Sequence, residues 1–313
     1  IFIPNISLKG IWERIEAARQ PEIEAVDVGP AFGLYEQRPE PDWPASAGSL
    51  PSSRLISDPP ELLETPMFQI WFTDLRLGGT SFNPYWRTHT YQEYTGHGWL
   101  AGETFPQEFP AGESLLTEEP AGQPGAQFRV HTQGSQLSGI LIHTGQVVSV
   151  SQPAEILWRQ APSGWQDYAS GRVQELDYSV RVTWLAPGLN RLAAADEDYP
   201  EWIRERYLHL PPDLPPRVID LAEVFASNYP QPFARAQAIE DYLRQFPYNL
   251  EVPFPPLDQD IVDYFLFDLQ EGYCDYYATA MVVLARLAGL PARVVSGYAP
   301  VTPDPESGML QIT

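Results

Sequence analysis

The single cysteine of this 313-residue chain, Cys274, stands in EGYCDYYATAMVVLARLAGLPARVVSGY, residues 271–298. After it, Tyr277, Met281, Leu284, Ala285 and Ala288 recur at three- and four-residue spacing, and Ala278, Val282 and Leu287 widen the apolar face. The spacing predicts a mostly buried helix from the cysteine to about Ala288. Gly289 suits the left-handed residue beyond a helix end, Pro291 stops continuation, and ARVVSGY reads as a buried strand. A thiol in the first turn of such a helix meets the positive end of the helix dipole, which favours the thiolate. Unpaired backbone N–H groups at the same end can receive an oxyanion. Thiol acyl transfer needs both. The position suits a small buried hydrophobe equally well, a common fate of free cysteine, and local spacing leaves both readings open.

The elements that must position this helix change character along the chain. Residues 191–313 read as helical up to the cysteine, then as helix and strand. One helix is expected over Pro200–Leu208 and a second over 215–228, with Val218, Leu221, Ala222 and Phe225 on one face. A third covers 232–246, with Ala236, Ile239, Leu243 and Phe246, and prolines stand at the expected starts. A proline-rich connector, VPFPP, then leads through DIVDYFLFDLQ to the cysteine. Residues 66–190 instead carry short aromatic and β-branched runs: FQIWFTDL, YWRTHTYQEY, GAQFRVHTQ, GQVVSVS and LDYSVRVTWL. In the last, Tyr178, Val180, Val182 and Trp184 alternate with Ser179, Arg181 and Thr183, as a half-buried strand requires. Such runs predict an antiparallel sandwich or barrel-like module. Residues 1–65 are proline-rich and read as extended, apart from a short helix around Ser7–Arg19 carrying Ile11, Trp12 and Ile15. The fold class expected is α+β.

Composition removes several function classes. A formal charge of −22 without a basic stripe argues against nucleic acid. One cysteine excludes an internal disulfide framework and a cysteine-rich metal site. No apolar run approaches the ~20 residues of a membrane span, and no signal peptide is recognisable. The opening IFIPNISLKG, without an initiator methionine, reads as part of something larger.

The segment GYCDYYATAMVVLARLAGLPARVVSGY closely resembles the nucleophile segment of the transglutaminase-like superfamily, whose fold is papain-like. Gly272, Cys274, Tyr277, Ala278, Arg286, Gly289, Pro291, Ala292, Arg293, Gly297 and Tyr298 fall on its pattern. The preceding YLHLPPDLPPRVIDLA, AIEDYLRQFPYNL and DIVDYFLFDLQEGYC are similar to the lead-in of bacterial, membrane-anchored members of the TgpA type. WRTHTYQEYTGHGW resembles a recurring element of their β-rich extracytoplasmic segment. The resemblance implies that Cys274 is the nucleophile. It also implies a histidine and then an aspartate on strands beyond the one starting near Met309. The five histidines, His89, His97, His131, His143 and His209, all precede the cysteine. The resemblance therefore implies an incomplete core, an open sheet edge, and a fragment without acid–base catalysis of its own.

Further residues carry weaker signals. Tyr248, in FPYNLE, could approach the nucleophile and donate to an oxyanion, as an aromatic residue does in some transglutaminases; ordinary packing explains it more simply. Asp275 could orient an amine, or simply answer the helix dipole. Arg286 and Arg293 suit pairing with carboxylates or covering the core. The histidines would need to converge to bind metal, and no metal or other cofactor is expected. Trp86, Trp99, Trp158, Trp165 and Trp184 could line a carbohydrate or peptide groove, but packing between sheets accounts for them more cheaply. The leading expectation is an extracytoplasmic, membrane-anchored enzyme acting on a protein or peptide amide through a cysteine thioester, as transglutaminase, peptidase or amidase. The alternative is a noncatalytic binding or scaffold module with a degenerate core.

Overall fold

The computed structural model describes residues 53–55, 67–76, 84–116, 123–133, 139–159, 167–184, 189–253, 255–256, 258–299, 304 and 307–312. The helix expected at Ser7–Arg19 and Trp165 lie outside the described residues. The β-rich part comprises β1 (Ser53–Leu55), β2 (Phe68–Arg76), β3 (Trp86–Tyr91), β4 (Glu93–Tyr94), β5 (Gly98–Leu100), β6 (Phe105–Phe109), β7 (Gly125–Thr132), β8 (Gln146–Val150), β9 (Ala154–Arg159), β10 (Asp167–Val173) and β11 (Asp177–Thr183). Helices α1 (Leu189–Ala193), α2 (Glu201–Tyr207), α3 (Pro216–Asn228), α4 (Pro232–Leu243), α5 (Ile261–Asp263) and α6 (Cys274–Leu287) follow, then β12 (Val294–Tyr298) and β13 (Leu310–Ile312). Pro216 and Pro232 open α3 and α4, where a missing N–H costs nothing.

Two five-stranded antiparallel sheets, ordered β13-β2-β7-β11-β8 and β12-β3-β10-β9-β6, pack face to face. Alternation builds the core between them. Phe68, Ile70, Phe128, Val130, Val180 and Val182 meet Trp86, Ile156 and Tyr168. The second sheet turns its other face to the helices. There Tyr91 and Val294 join Val218, Ile239, Phe265 and the apolar side of α6 in a second core. The result is three layers: sheet, sheet, helices.

The boundary expected near residue 190 is crossed twice by strand pairing. β12 pairs antiparallel with β3, Ser296 opposite His89, and β13 pairs with β2, Leu310 opposite Ile70. Both are edge strands in the order of their sheets. Gly297 sits at a bulge in the β12–β3 ladder, where a Cβ would run into the Trp86 carbonyl, so the close approach requires glycine.

A buried polar hub ties the middle sheet to the helices. Asp167 of β10 accepts from the Tyr207 hydroxyl of α2 and from Arg293, just before β12. It also lies 3.5 Å from Arg159 of β9 and 3.9 Å from Arg206 of α2. Arg159 is fully buried and donates to the Ala101 carbonyl and to Thr90. Burial pulls its pKa down to about 10, with Asp167 opposing that fall and Arg293 and Arg206 adding to it.

Candidate functional site

The chain reaches Cys274 through an irregular helical entry. Asp260 caps α5, accepting from the N–H groups of Val262 (2.9 Å) and Asp263 (3.1 Å). Tyr94 donates its hydroxyl to Asp260 at 2.9 Å, and Ile261 N–H donates to the Gly96 carbonyl at 2.8 Å. The YTGHGW hairpin is thereby fixed to the start of this entry. Residues Tyr264–Leu269 then wind as a π-helix, which ends on Gln270 in the left-handed region (φ 56°). Wide π-turns re-aim a chain and occur often at functional sites. Here the turn releases the extended segment that carries Gly272 to the head of α6.

Cys274 is the first residue of α6, after the extended Tyr273, and is partly exposed. The helix behind it is almost wholly buried, from Tyr276 to Arg286. Trp99 of β5 donates its indole N–H to Thr279 at 3.0 Å and lies under the Arg286 guanidinium, 5.2 Å away. Arg286 is 3 % exposed and donates Nε to the Ala292 carbonyl (2.8 Å) and Nη1 to the His209 carbonyl (2.7 Å), while its buried Nη2 has no hydrogen-bond partner among the described residues. Burial lowers its pKa to about 9. At the far end Leu290 N–H bonds to Ala285 and Gly289 N–H to Arg286, with Gly289 at φ +84°. That is a Schellman closure. A helix so tightly seated presents its first-turn side chains in one fixed direction.

The structure brings Tyr248 to Cys274. Tyr248 forms a parallel bridge with Gly272, extended by Asn249 N–H to the Gly272 carbonyl (2.8 Å) and Gly272 N–H to the Pro247 carbonyl (3.2 Å). Tyr277, one turn after the cysteine, donates to the carbonyls of Phe246 and Pro247, each at 2.8 Å, and its ring stacks on Tyr248. The FPYN segment is stitched to both sides of the cysteine. The bridge to Gly272 and the stack on Tyr277 set the Tyr248 side chain beside Cys274. Burial first, then the charges of Cys274 and Asp275, hold its pKa well above the usual phenol value. At neutral pH it is therefore a hydrogen-bond donor. The Cys274 thiol also reaches the Asp275 carboxylate at 3.7 Å. Sequence reasoning could not place Tyr248, because a parallel bridge across 24 residues leaves no periodic trace. The usable signal was Tyr277, a polar-tipped residue on an otherwise apolar face.

The remaining candidates lie apart. His143 is buried against Tyr168 and Arg87, and burial pushes its pKa well below 6.5. His89 is 3 % exposed, packs its ring 4.6 Å from Tyr91, and is held near pKa 4 by burial and by Arg159. His131 stands beside Asp177 on β7, on the outer face of its sheet. No cluster of three metal-ligating side chains occurs among the described residues. Trp86 and Trp99 are core residues, while Trp158 and Trp184 are partly buried against the sandwich core. Arg293 does pair with a carboxylate, Asp167.

Residues 219–308 match the family model of the transglutaminase-like superfamily. The chain is 29% identical over 297 residues to YebA of Bacillus subtilis (strain 168), covering 85% of this chain and 40% of that protein. It is 29% identical over 214 residues to a protein-glutamine gamma-glutamyltransferase of Pseudomonas aeruginosa, covering 68% of this chain and 29% of the relative. The chain thus spans less than half the length of these curated relatives. Two crystal structures of the periplasmic domain of TgpA from Pseudomonas aeruginosa, one bound to ethylmercury, share its fold. Their TM-scores are 0.54 and 0.55 at 24% and 25% identity, over 79% of this chain and 81% and 79% of theirs.

Proposed function

Starting from a transglutaminase-like domain over residues 219–308, in a chain folded like the TgpA periplasmic domain, we propose that Cys274 is the nucleophile of an acyl transfer. The thiolate attacks a carboxamide or peptide carbonyl of a protein or peptide, giving a tetrahedral oxyanion. The leaving nitrogen takes a proton and departs, and a thioester remains on Cys274. A primary amine resolves it to a new amide, a cross-link; water resolves it to a carboxylic acid. Tyr248 is the hydrogen-bond donor at the site, aimed at the sulfur and the oxygen beside it. The observation that carries this reading is the partly exposed Cys274 at the head of a buried helix, with Tyr248 bridged to Gly272 beside it.

The proton must go to a base. His143, His131 and His89 are engaged with Tyr168, Asp177 and Tyr91 respectively. In this reading acid–base catalysis falls to a group other than these three, the histidine that the family's chain order places after the cysteine, and without it turnover is expected to be very slow or absent. The parent is proposed to be membrane-anchored and to hold this chain outside the cytoplasm, in keeping with the periplasmic setting of the TgpA domain. No helix among the described residues is long and apolar enough to cross a membrane. The full-length protein containing this chain, given a glutamine peptide and a fluorescent primary amine, should incorporate the amine or release ammonia. Cys274→Ala should abolish both. Activity that survives Cys274→Ala contradicts the assignment, and a wild type inert in both assays leaves the noncatalytic binding module.

A further inference from the structure

The outer face of the sheet β13-β2-β7-β11-β8 carries rows of polar side chains. The inward residues of these strands are apolar, whereas the outward ones form rows of planar polar groups. One row crosses four strands: Gln311 opposite Gln69, Gln69 opposite His131, and His131 opposite Asp177. In the next row Trp71 stands opposite Arg129. Gln69, Trp71, Thr73, Arg129, His131 and Asp177 line an open concavity of about 550 Å³, on the sheet layer that faces away from the helices and Cys274.

Trp71 is the anomaly. An indole on the solvent side of a sheet, partly exposed and with no hydrogen-bond or ring partner among the described residues, leaves apolar surface in water that an inward position would bury. Its neighbours are already ordered. Arg129 grips Asp177 through two bonds of 2.5 Å, His131 lies 3.8 Å from the same carboxylate, and Gln69 donates to Gln311 at 3.4 Å. Preorganised side chains lose little freedom when a ligand arrives. The Arg129–Asp177 pair also cancels its own charge, so the concavity is close to neutral in a chain of net charge −22.

We propose that this face binds a neutral glycan chain. The flat C–H face of one sugar ring stacks on the Trp71 indole. Its hydroxyl or acetamido groups bond to Gln69, Thr73, Arg129, His131 and Asp177. A glycan is the occupant this face favours, because planar polar groups, Gln69, Gln311, His131 and Arg129, stand in adjoining rows beside the indole in a patch close to neutral. The site is separate from Cys274 and stands whether or not the acyl-transfer reading holds.

Calorimetric titration of the full chain with chitotetraose and with cellotetraose tests the proposal and separates an N-acetylated glycan from a plain glucan. Binding of either one, in the micromolar to low-millimolar range, is expected. Trp71→Ala should weaken it at least about tenfold while the chain stays folded, since the indole packs in neither core. Trp71→Phe, which keeps a smaller stacking face, should retain part of it. No heat with either sugar at about 10 mM, or binding that Trp71→Ala leaves intact, overturns the proposal. A protein ligand that binds the wild type and is lost on Trp71→Ala, with both sugars inert, would overturn the glycan and make this face a protein-docking surface.

Discussion

Asp167→Asn should cost this protein far more than a typical polar substitution. The carboxylate is 6 % exposed and stands among three guanidinium groups, one of them, Arg159, with no exposed side-chain surface. Asparagine keeps the shape and can still accept from Tyr207, so packing and one hydrogen bond survive. What disappears is the negative charge that Arg159, Arg206 and Arg293 share in the hub. Removing one partner of a buried ion pair costs ~3–5 kcal/mol, because the other charge is left uncompensated. Arg206 and Arg293 retain 22% and 29% exposure, so water screens them and the lower end, about 3 kcal/mol, applies. At ~2–4 °C per kcal/mol for a protein of this size, Tm should fall by ~6–12 °C. Scanning calorimetry at pH 7 measures this directly. Asp167→Asn combined with Arg293→Gln should recover part of the loss, because one of the stranded cations is gone. A fall of under ~2 °C in the single variant would refute the hub as the tie between the middle sheet and the helices.

Three further outcomes follow from single residues. His89 is held near pKa 4 in the folded chain against 6.5 when unfolded, so between those values the unfolded chain binds the extra proton. Stability should be fully present above pH 6.5 and fall by up to ~3 kcal/mol as pH drops towards 4. His89→Phe, which removes two ring nitrogens without partners and keeps the packing on Tyr91, should flatten part of that pH profile in urea titrations, the buried His143 keeping the rest. Gly289→Ala meets only Arg235 Nη1 at 3.5 Å, so its cost is backbone strain at φ +84°: about 1 kcal/mol, seen as a modest loss of Tm. Tyr248→Phe retains the stack on Tyr277 and should leave Tm nearly unchanged while lowering amine incorporation by the full-length protein roughly 10- to 100-fold.

Local features of this protein are legible along the sequence, and distant pairings are not. The helix behind Cys274, its stop at Gly289 and the alternation of β11 all rest on residues within one or two turns of each other, where periodicity records burial. Nothing local announces that β12 lies against β3, some two hundred residues earlier, or that Asp167 collects three arginines from separate elements. The element WRTHTYQEYTGHGW is a clear case. Read alone it is strand and hairpin; in space Tyr94 and Trp99 seat the entry to α6 and the helix itself. The π-helical stretch at Tyr264–Leu269 was also invisible, because one extra residue in a turn only blurs a helical period. Tyr248 was named from the sequence, yet its approach to Cys274 depends on the bridge to Gly272, which only the folded chain displays.

The most direct test of Cys274 as nucleophile is covalent trapping in the full-length protein. A glutamine-mimicking diazoketone peptide should add once, on the peptide carrying Cys274. Prior alkylation or Cys274→Ala should block both the adduct and amine incorporation. Amine incorporation that persists while Cys274 carries no adduct would contradict the assignment.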